Sequence, residues 1–191
     1  MKRFCWTSLL CLALAGCSKS NNNAPNSPSE PECGVERWHV KILTDPASAN
    51  INWNSIGTTL AEQNAFPKIS MSEDTIRMDF EKQVVSVQAT IVAFKKEDDK
   101  DLHLILIDNA SDSMIAEIPG TACGEVAASP HAADFQSAAA WVANNLGTPS
   151  TEFKRVNKPV TVTGILFQDF AHGQDGHAKN YREIHPVLNI Q

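Results

Sequence analysis

The residues from Phe170 to Pro186, FAHGQDGHAKNYREIHP, carry more chemistry than any other stretch of this chain. His172, His177 and His185 stand here with Asp175 and Glu183, and Asp169 directly precedes them. Neutral imidazole and carboxylate are donors that zinc and related divalent ions accept. His172, His185 and, from further upstream, His103 are therefore the candidate metal ligands, and a divalent metal is the cofactor they would imply. Glu183 and His185 lie two apart in what reads as a strand, so both project from one face. A carboxylate beside an imidazole is also the minimal general acid–base pair, which makes Glu183, His185 and His172 the candidate catalytic residues. The spacing H-x4-H-x7-H matches no metal motif. HExxH, zinc-finger and EF-hand patterns are absent, as are a G-x-S-x-G elbow and a phosphate-binding loop. The residues thus lean away from catalysis. The plain alternative is a loop of fixed shape. Gly173 and Gly176 allow tight turns with positive φ, Pro186 keeps His185 extended, and Glu183 and His185 would hold the loop through its backbone. On that reading His172, Gly173, Gln174, Gly176 and Asn180 form a binding loop.

The elements that must position this stretch are legible from period. VVSVQATIVAFKK (84–96) is β-branched, with Val85, Val87, Ala89, Ile91 and Ala93 on one face. EDDKD (97–101) is a polar turn. LHLILID (102–108) is apolar on both faces, as a strand buried on two sides should be. DNASDS (108–113) is turn chemistry, and MIAEIPG (114–120) is a third strand stopped by Pro119 and Gly120. Short polar turns between them predict an antiparallel meander. Glu117 falls in phase with Ile115, and an inward carboxylate there needs a partner such as Arg or His. Ser129 and Pro130 then open a helix. Phe135, Ala138, Ala139, Val142 and Leu146 form its apolar stripe, and Gly147 and Pro149 end it. KPVTVTGILFQD (158–169) and EIHPVLNI (183–190) are two more strands. The order β-β-β-α-β-β is that of an OB-fold-like five-stranded barrel, mainly β with one helix. Gly164 suits the bend such a barrel needs. Upstream, ERWHVKIL (36–43) alternates Trp38, Val40 and Ile42 against Arg37, His39 and Lys41, which predicts an N-terminal strand extension. Residues 44–75 carry weak signals, with a short helix near 58–64. OB-fold ligands bind across the second and third strands, between the first–second and fourth–fifth loops. EDDKD and the 170–182 stretch would be those loops, with His103 at the start of strand two.

The N-terminus speaks to compartment. Lys2 and Arg3 precede an apolar run from Phe4 to Ala15, too short to cross a membrane and right for a signal peptide. The run ends Leu14-Ala15-Gly16-Cys17, which resembles a bacterial lipobox, so residues 1–16 read as a lipoprotein signal peptide and Cys17 as the lipidated first residue. Ser18 after the cysteine points to the outer membrane, with the domain facing the periplasm. Residues 17–32 are rich in Asn, Ser and Pro and have no large apolar residue, which predicts a disordered tether. The remaining 33–191 is one OB-like domain, its barrel core 84–191. Loss of residues 1–16 removes Lys2 and Arg3 and no acid, taking the formal charge from −6 to −8. An acidic exported domain is ill suited to nucleic acid or anionic lipid. Cys5 and Cys11 leave with the signal peptide, and the two that remain beside Cys17, Cys33 and Cys123, predict one disulfide.

ERWHVKILTD (36–45), the span from LHLILID to the cysteine (102–123), and VTGILFQDFAHGQDGHAKNYREIHPVL (162–188) together resemble an uncharacterised family of bacterial exported proteins. His172, Gly173, Gln174, Gly176, Asn180, Glu183, His185 and Pro186 carry the signature. Typical members have proline where this chain has Lys179. The resemblance implies a recurring compact domain and names no substrate.

Three functions remain. The first is a lipid-anchored envelope protein with a non-catalytic binding or structural domain, held to the membrane through Cys17 and partnered by an envelope protein or a glycan. The second is a metal-assisted hydrolase, acting on phosphodiesters or similar bonds, which needs His103, His172, Glu183 and His185 to converge on an open pocket. The third is an oligosaccharide- or peptidoglycan-binding module, which needs an aromatic platform, and Tyr181 is the nearby candidate.

Overall fold

The β-branched and apolar runs form the strands their period predicts. The computed structural model describes residues 33–109 and 111–191; the expected signal peptide, Cys17 and tether lie outside the described residues. The strands are β1 (Asn52–Thr58), β2 (Gln83–Lys96), β3 (Leu102–Ile107), β4 (Ser113–Ile118), β5 (Lys154–Gln168) and β6 (Arg182–Ile190). β2, β3 and β4 form the expected antiparallel meander. β4 meets β6 in parallel, β6 runs antiparallel to β5, and β5 pairs back onto β2. The mainly-β sheet is therefore ring-like, and β1 lies parallel along β2 outside that circuit.

Alternation sorts side chains between two faces of the ring. Leu102, Leu104 and Leu106 of β3, with Met114, Ala116 and Ile118 of β4, enter the apolar core. The helix α3 (Ala132–Asn145) packs Phe135, Ala138 and Val142 into the same core. Ser129 sits two residues before the cap position: its Oγ accepts the His131 amide at 3.1 Å, and His131, not Ser129, is the residue that precedes the helix. His103 and Glu117 are direct cross-strand partners on the opposite face. Glu183 and His185 alternate with Ile184, a core residue, and so share that outer face.

The N-terminal segment covers this outer face, and not as a strand. Glu36, Arg37 and Leu43 take left-handed backbone with φ of 52°, 55° and 61°, which a strand does not accommodate. Trp38–Lys41 forms a single helical turn, α1, where a strand is expected, and Leu60–Asn64 forms another, α2, inside the short helix expected near 58–64, so three helices stand among the described residues. The strand of the extension is β1, further along the chain. The alternation of ERWHVKIL misleads because two of its polar members, Arg37 and Lys41, are buried too, while His39 stays exposed. Arg37 is 7 % exposed and Lys41 4 %. The Arg37 guanidinium holds Glu81 at 2.8 and 2.6 Å. It also donates to the carbonyls of Thr75, Ile76 and Gln168. Breaking one side of such a buried pair costs about 3–5 kcal/mol. Arg77 makes a second clamp, to Asp45 and to the carbonyls of Val40 and Glu81. The expected disulfide, Cys33 to Cys123, ties the start of the cover to the segment after β4. Closing that loop contributes about 4 kcal/mol in the chain-entropy treatment.

Gly164 lies where the β5–β6 register shifts. A Cβ there would collide with the Ile184 side chain and the Pro186 carbonyl oxygen, and the latter is backbone that cannot rotate away. Gly164→Ala is expected to lose about 2–3 kcal/mol of stability, read as a lower urea midpoint with an unchanged slope. Gly124→Ala, with nothing near its added methyl, should leave the midpoint within about 0.5 kcal/mol of wild type.

Candidate functional site

Between the outer face of β3–β4–β6 and the N-terminal cover lies a layer of ionisable side chains. Glu117 on β4 is its centre. Its Oε1 is 2.9 Å from His103 Nδ1 and its Oε2 is 3.1 Å from His185 Nδ1. His185 Nδ1 is also 3.1 Å from Glu183 Oε1. His103 Nε2 donates to the Asp175 carbonyl at 3.1 Å, which ties the 170–181 loop to the face. Asp101, at the end of the EDDKD turn, accepts the Gly120 amide at 2.7 Å through Oδ1. Its Oδ2 stands 3.5 Å from His185 Nε2, too long for a hydrogen bond. Lys41 enters from the cover above.

A dry layer cannot hold this many full charges, and the pKa values divide accordingly. Burial pushes the carboxyls of Asp101 and Glu183 well above the ordinary range, with neighbouring carboxylates adding to the effect. Burial, with a smaller push from the Glu117 carboxylate, raises Asp169 to about 6 against the opposing charge of Lys41. Burial works against the Glu117 carboxylate, but hydrogen bonds from His103 and His185 outweigh it and hold that group well below its usual value. Burial likewise opposes a charge on His103, and Glu117 and Glu97 reverse the balance, raising it to about 9. His185, the deeper imidazole, is pushed down to about 4, chiefly by burial. Lys41 stays charged: burial would lower it, but Glu117, Glu183, Asp101 and Asp169 more than compensate.

Beside this layer a cavity of about 490 Å³ opens between Val35 and Glu36 of the cover, the 95–99 turn, and His172 and Gln174 of the loop. Glu117, Asp169 and Lys41 reach it from beneath. Of the sequence candidates, His103, Glu183 and His185 come together through Glu117. His172 does not join them, since its Nε2 faces Glu36 at 3.1 Å at the cavity mouth. His177 stacks on Tyr181 with ring centres 4.6 Å apart, and Lys68 lies over the same tyrosine ring. Asn180 is a buried clamp: its amide donates to the carbonyls of Gln63 and Phe66 and its Oδ1 accepts the Arg182 amide. The two loop glycines do have positive φ, 70° at Gly173 and 85° at Gly176. Gly176 is packed against Ile105, where a Cβ would collide.

Glu183 and His185 thus face other side chains, not the backbone of their own loop. Two members of the layer escape the sequence reading. Asp101 is wholly buried although EDDKD reads as a solvated turn, and Lys41 sits on what reads as the polar side of a strand. Only the in-phase position of Glu117 signals that such a layer exists. No family model, curated protein or solved structure matches this chain.

The His103 value lies above the ordinary imidazole value of 6.5, so the folded chain holds a proton that the unfolded chain releases. Its stabilisation, on the order of 3 kcal/mol, is complete below pH 6.5 and lost as pH rises through 9. Urea denaturation in the presence of a chelator should show stability falling from pH 6.5 to 9. His103→Gln should flatten that slope.

Proposed function

We propose that this chain is a lipid-anchored protein of the bacterial envelope, attached through Cys17 and facing the periplasm from the outer membrane. Its single OB-like domain binds a small cationic group and does not transform it. The OB-like reading is supported by connectivity. The circuit β2–β3–β4–β6–β5 returns to β2, and α3 falls between β4 and β5, the third and fourth of these five strands in chain order. On that reading the two loops that flank an OB ligand are 97–101 and 169–181.

The observation that carries the binding reading is the cavity. Both of those loops line it, and its walls hold Glu36, Glu97, Asp98, Asp99, Glu117 and Asp169 against three lysines. Of those lysines, Lys41 is held among carboxylates and Lys95 pairs with Glu97 at 3.0 Å. The wall therefore favours an ammonium or guanidinium group, from a basic side chain of an envelope protein or an amino group on a glycan. A metal-assisted hydrolase fits less well, because His103, Glu183 and His185 lie beneath the cavity, almost wholly buried. An aromatic sugar platform fits less well too, since His177 and Lys68 already engage the Tyr181 ring.

Calorimetry on the full chain in detergent tests the reading with short Arg- and Lys-containing peptides and with glucosamine oligomers, each beside its acetylated, neutral counterpart. The charged member of one series should bind and its neutral counterpart should not. Asp169→Asn should weaken binding about tenfold, the worth of one charge-assisted hydrogen bond. Because Asp169 titrates near 6, with Lys41, Glu117 and His172 facing it, affinity should rise between pH 5 and 7 and level off above. Equal binding of acetylated ligands, or no change with pH, would overturn the cationic assignment.

The anchor has its own test. Cys17→Ser should abolish incorporation of labelled palmitate and move the protein from the membrane to the soluble fraction. A variant that still labels and still sediments with membranes would contradict a lipid at Cys17.

A further inference from the structure

The layer beneath the cavity contains two buried polar atoms that face each other without a hydrogen bond. Asp101 Oδ2 and His185 Nε2 have no hydrogen-bond partner, and both residues are 0 % exposed. They are 3.5 Å apart. His185 Nδ1 has Glu117 and Glu183 at 3.1 Å, so its proton belongs on that side and the Nε2 lone pair is left aimed at a carboxylate oxygen. A proton on Asp101 would make a hydrogen bond here only if the two atoms came closer than 3.5 Å, whereas a metal ion satisfies both atoms at the separation they have.

We propose that Asp101, Glu117 and His185 bind one divalent transition-metal ion, with zinc the ion their donors fit best. Each offers one ligand atom, and the three atoms lie within 4.8 Å of one another. Ligands held at about 2.0–2.2 Å by a tetrahedral ion stand roughly 3.3–3.6 Å apart, which is the spacing of the Asp101–His185 pair. One imidazole and two carboxylates is a donor set zinc accepts, and it leaves a fourth position. The surrounding groups already orient the ligands. The Gly120 amide holds Asp101 Oδ1. Glu183 holds His185 Nδ1, the carboxylate–imidazole–metal arrangement that fixes the ring and its tautomer. A single Nδ1 proton cannot fully serve two carboxylates, which releases a Glu117 oxygen to the ion. Glu117 also lines the cavity, so the site has an entry path. Two neighbouring clusters are less suited. His103, in the group with Glu97 and Glu117, has both nitrogens engaged. His172, with Glu36 and Asp169, is already paired at the cavity mouth.

The full chain in detergent, stripped with a chelator, is titrated with Zn(II) and Co(II) against a competing chelator, and bound metal is counted after dialysis. One ion per chain, visible absorption bands for bound Co(II), and an unfolding temperature that rises with metal are expected. Asp101→Asn is the decisive variant. Its amide oxygen keeps the Gly120 bond, and its NH2 can donate to His185 Nε2. It should fold at least as stably as the stripped wild type while losing tenfold or more in zinc affinity. Should it fail to fold, His185→Gln is judged by the same measurement. Glu183→Gln should weaken zinc and shift the Co(II) spectrum, which a purely structural role would not do. No stoichiometric metal at about 10 µM, zinc affinity unchanged in Asp101→Asn, or loss of zinc in His172→Gln but not in Asp101→Asn would each overturn the site. Cationic-ligand binding in the cavity is measured separately and can survive that outcome.

Discussion

Glu117 brings an ionised carboxylate into a space closed to water, and the groups around it are arranged to keep it charged. Removed from solvent, a carboxylate is stable only if donors and opposite charges replace its hydration. His103 and His185 supply the donors, and Lys41 supplies a positive charge that its own burial would otherwise remove. Two further carboxyls, on Asp101 and Glu183, are driven towards their neutral forms. The cover over β3–β4–β6 follows from this. Lys41 reaches the layer only because α1 is a helical turn, and α1 is held there by the Arg37–Glu81 and Arg77–Asp45 pairs.

The ring and its buried ionisable layer differ in how far they could be read from sequence. From residue 83 onward, strands and helix announce themselves, because each buries an apolar face whose period matches its geometry. ERWHVKIL defeats that logic. Its apolar positions are buried, as expected, but Arg37 and Lys41 are buried as well, and their partners Glu81 and Glu117 lie far along the chain. Nothing local distinguishes a lysine bound for a buried carboxylate from one bound for water. Asp101 is hidden for the same reason: all five residues of EDDKD are charged, and only contact with Gly120 and His185 selects which of them goes inside. Glu183 and His185 were findable because a strand places them on one face. His172 was not separable from them, since a loop carries no period.

The loop itself reconciles two descriptions that looked exclusive. It is fixed in shape, through Gly176 on Ile105, Asn180 on the backbone at 63 and 66, and the Asp175 carbonyl on His103. It also forms one wall of a cavity. The two descriptions are compatible, because a wall that is already ordered would lose little conformational entropy to any ligand.

The Cys33–Cys123 bond has a mechanical meaning. Tension arriving from the chain before residue 33 enters the domain at Cys33 and passes through the sulfur atoms into Cys123, beside β4. Residues 34–43, which carry Arg37 and Lys41, lie off that path. A pull on the N-terminal end is therefore passed to the segment beside β4 and does not peel the cover from the charges beneath it.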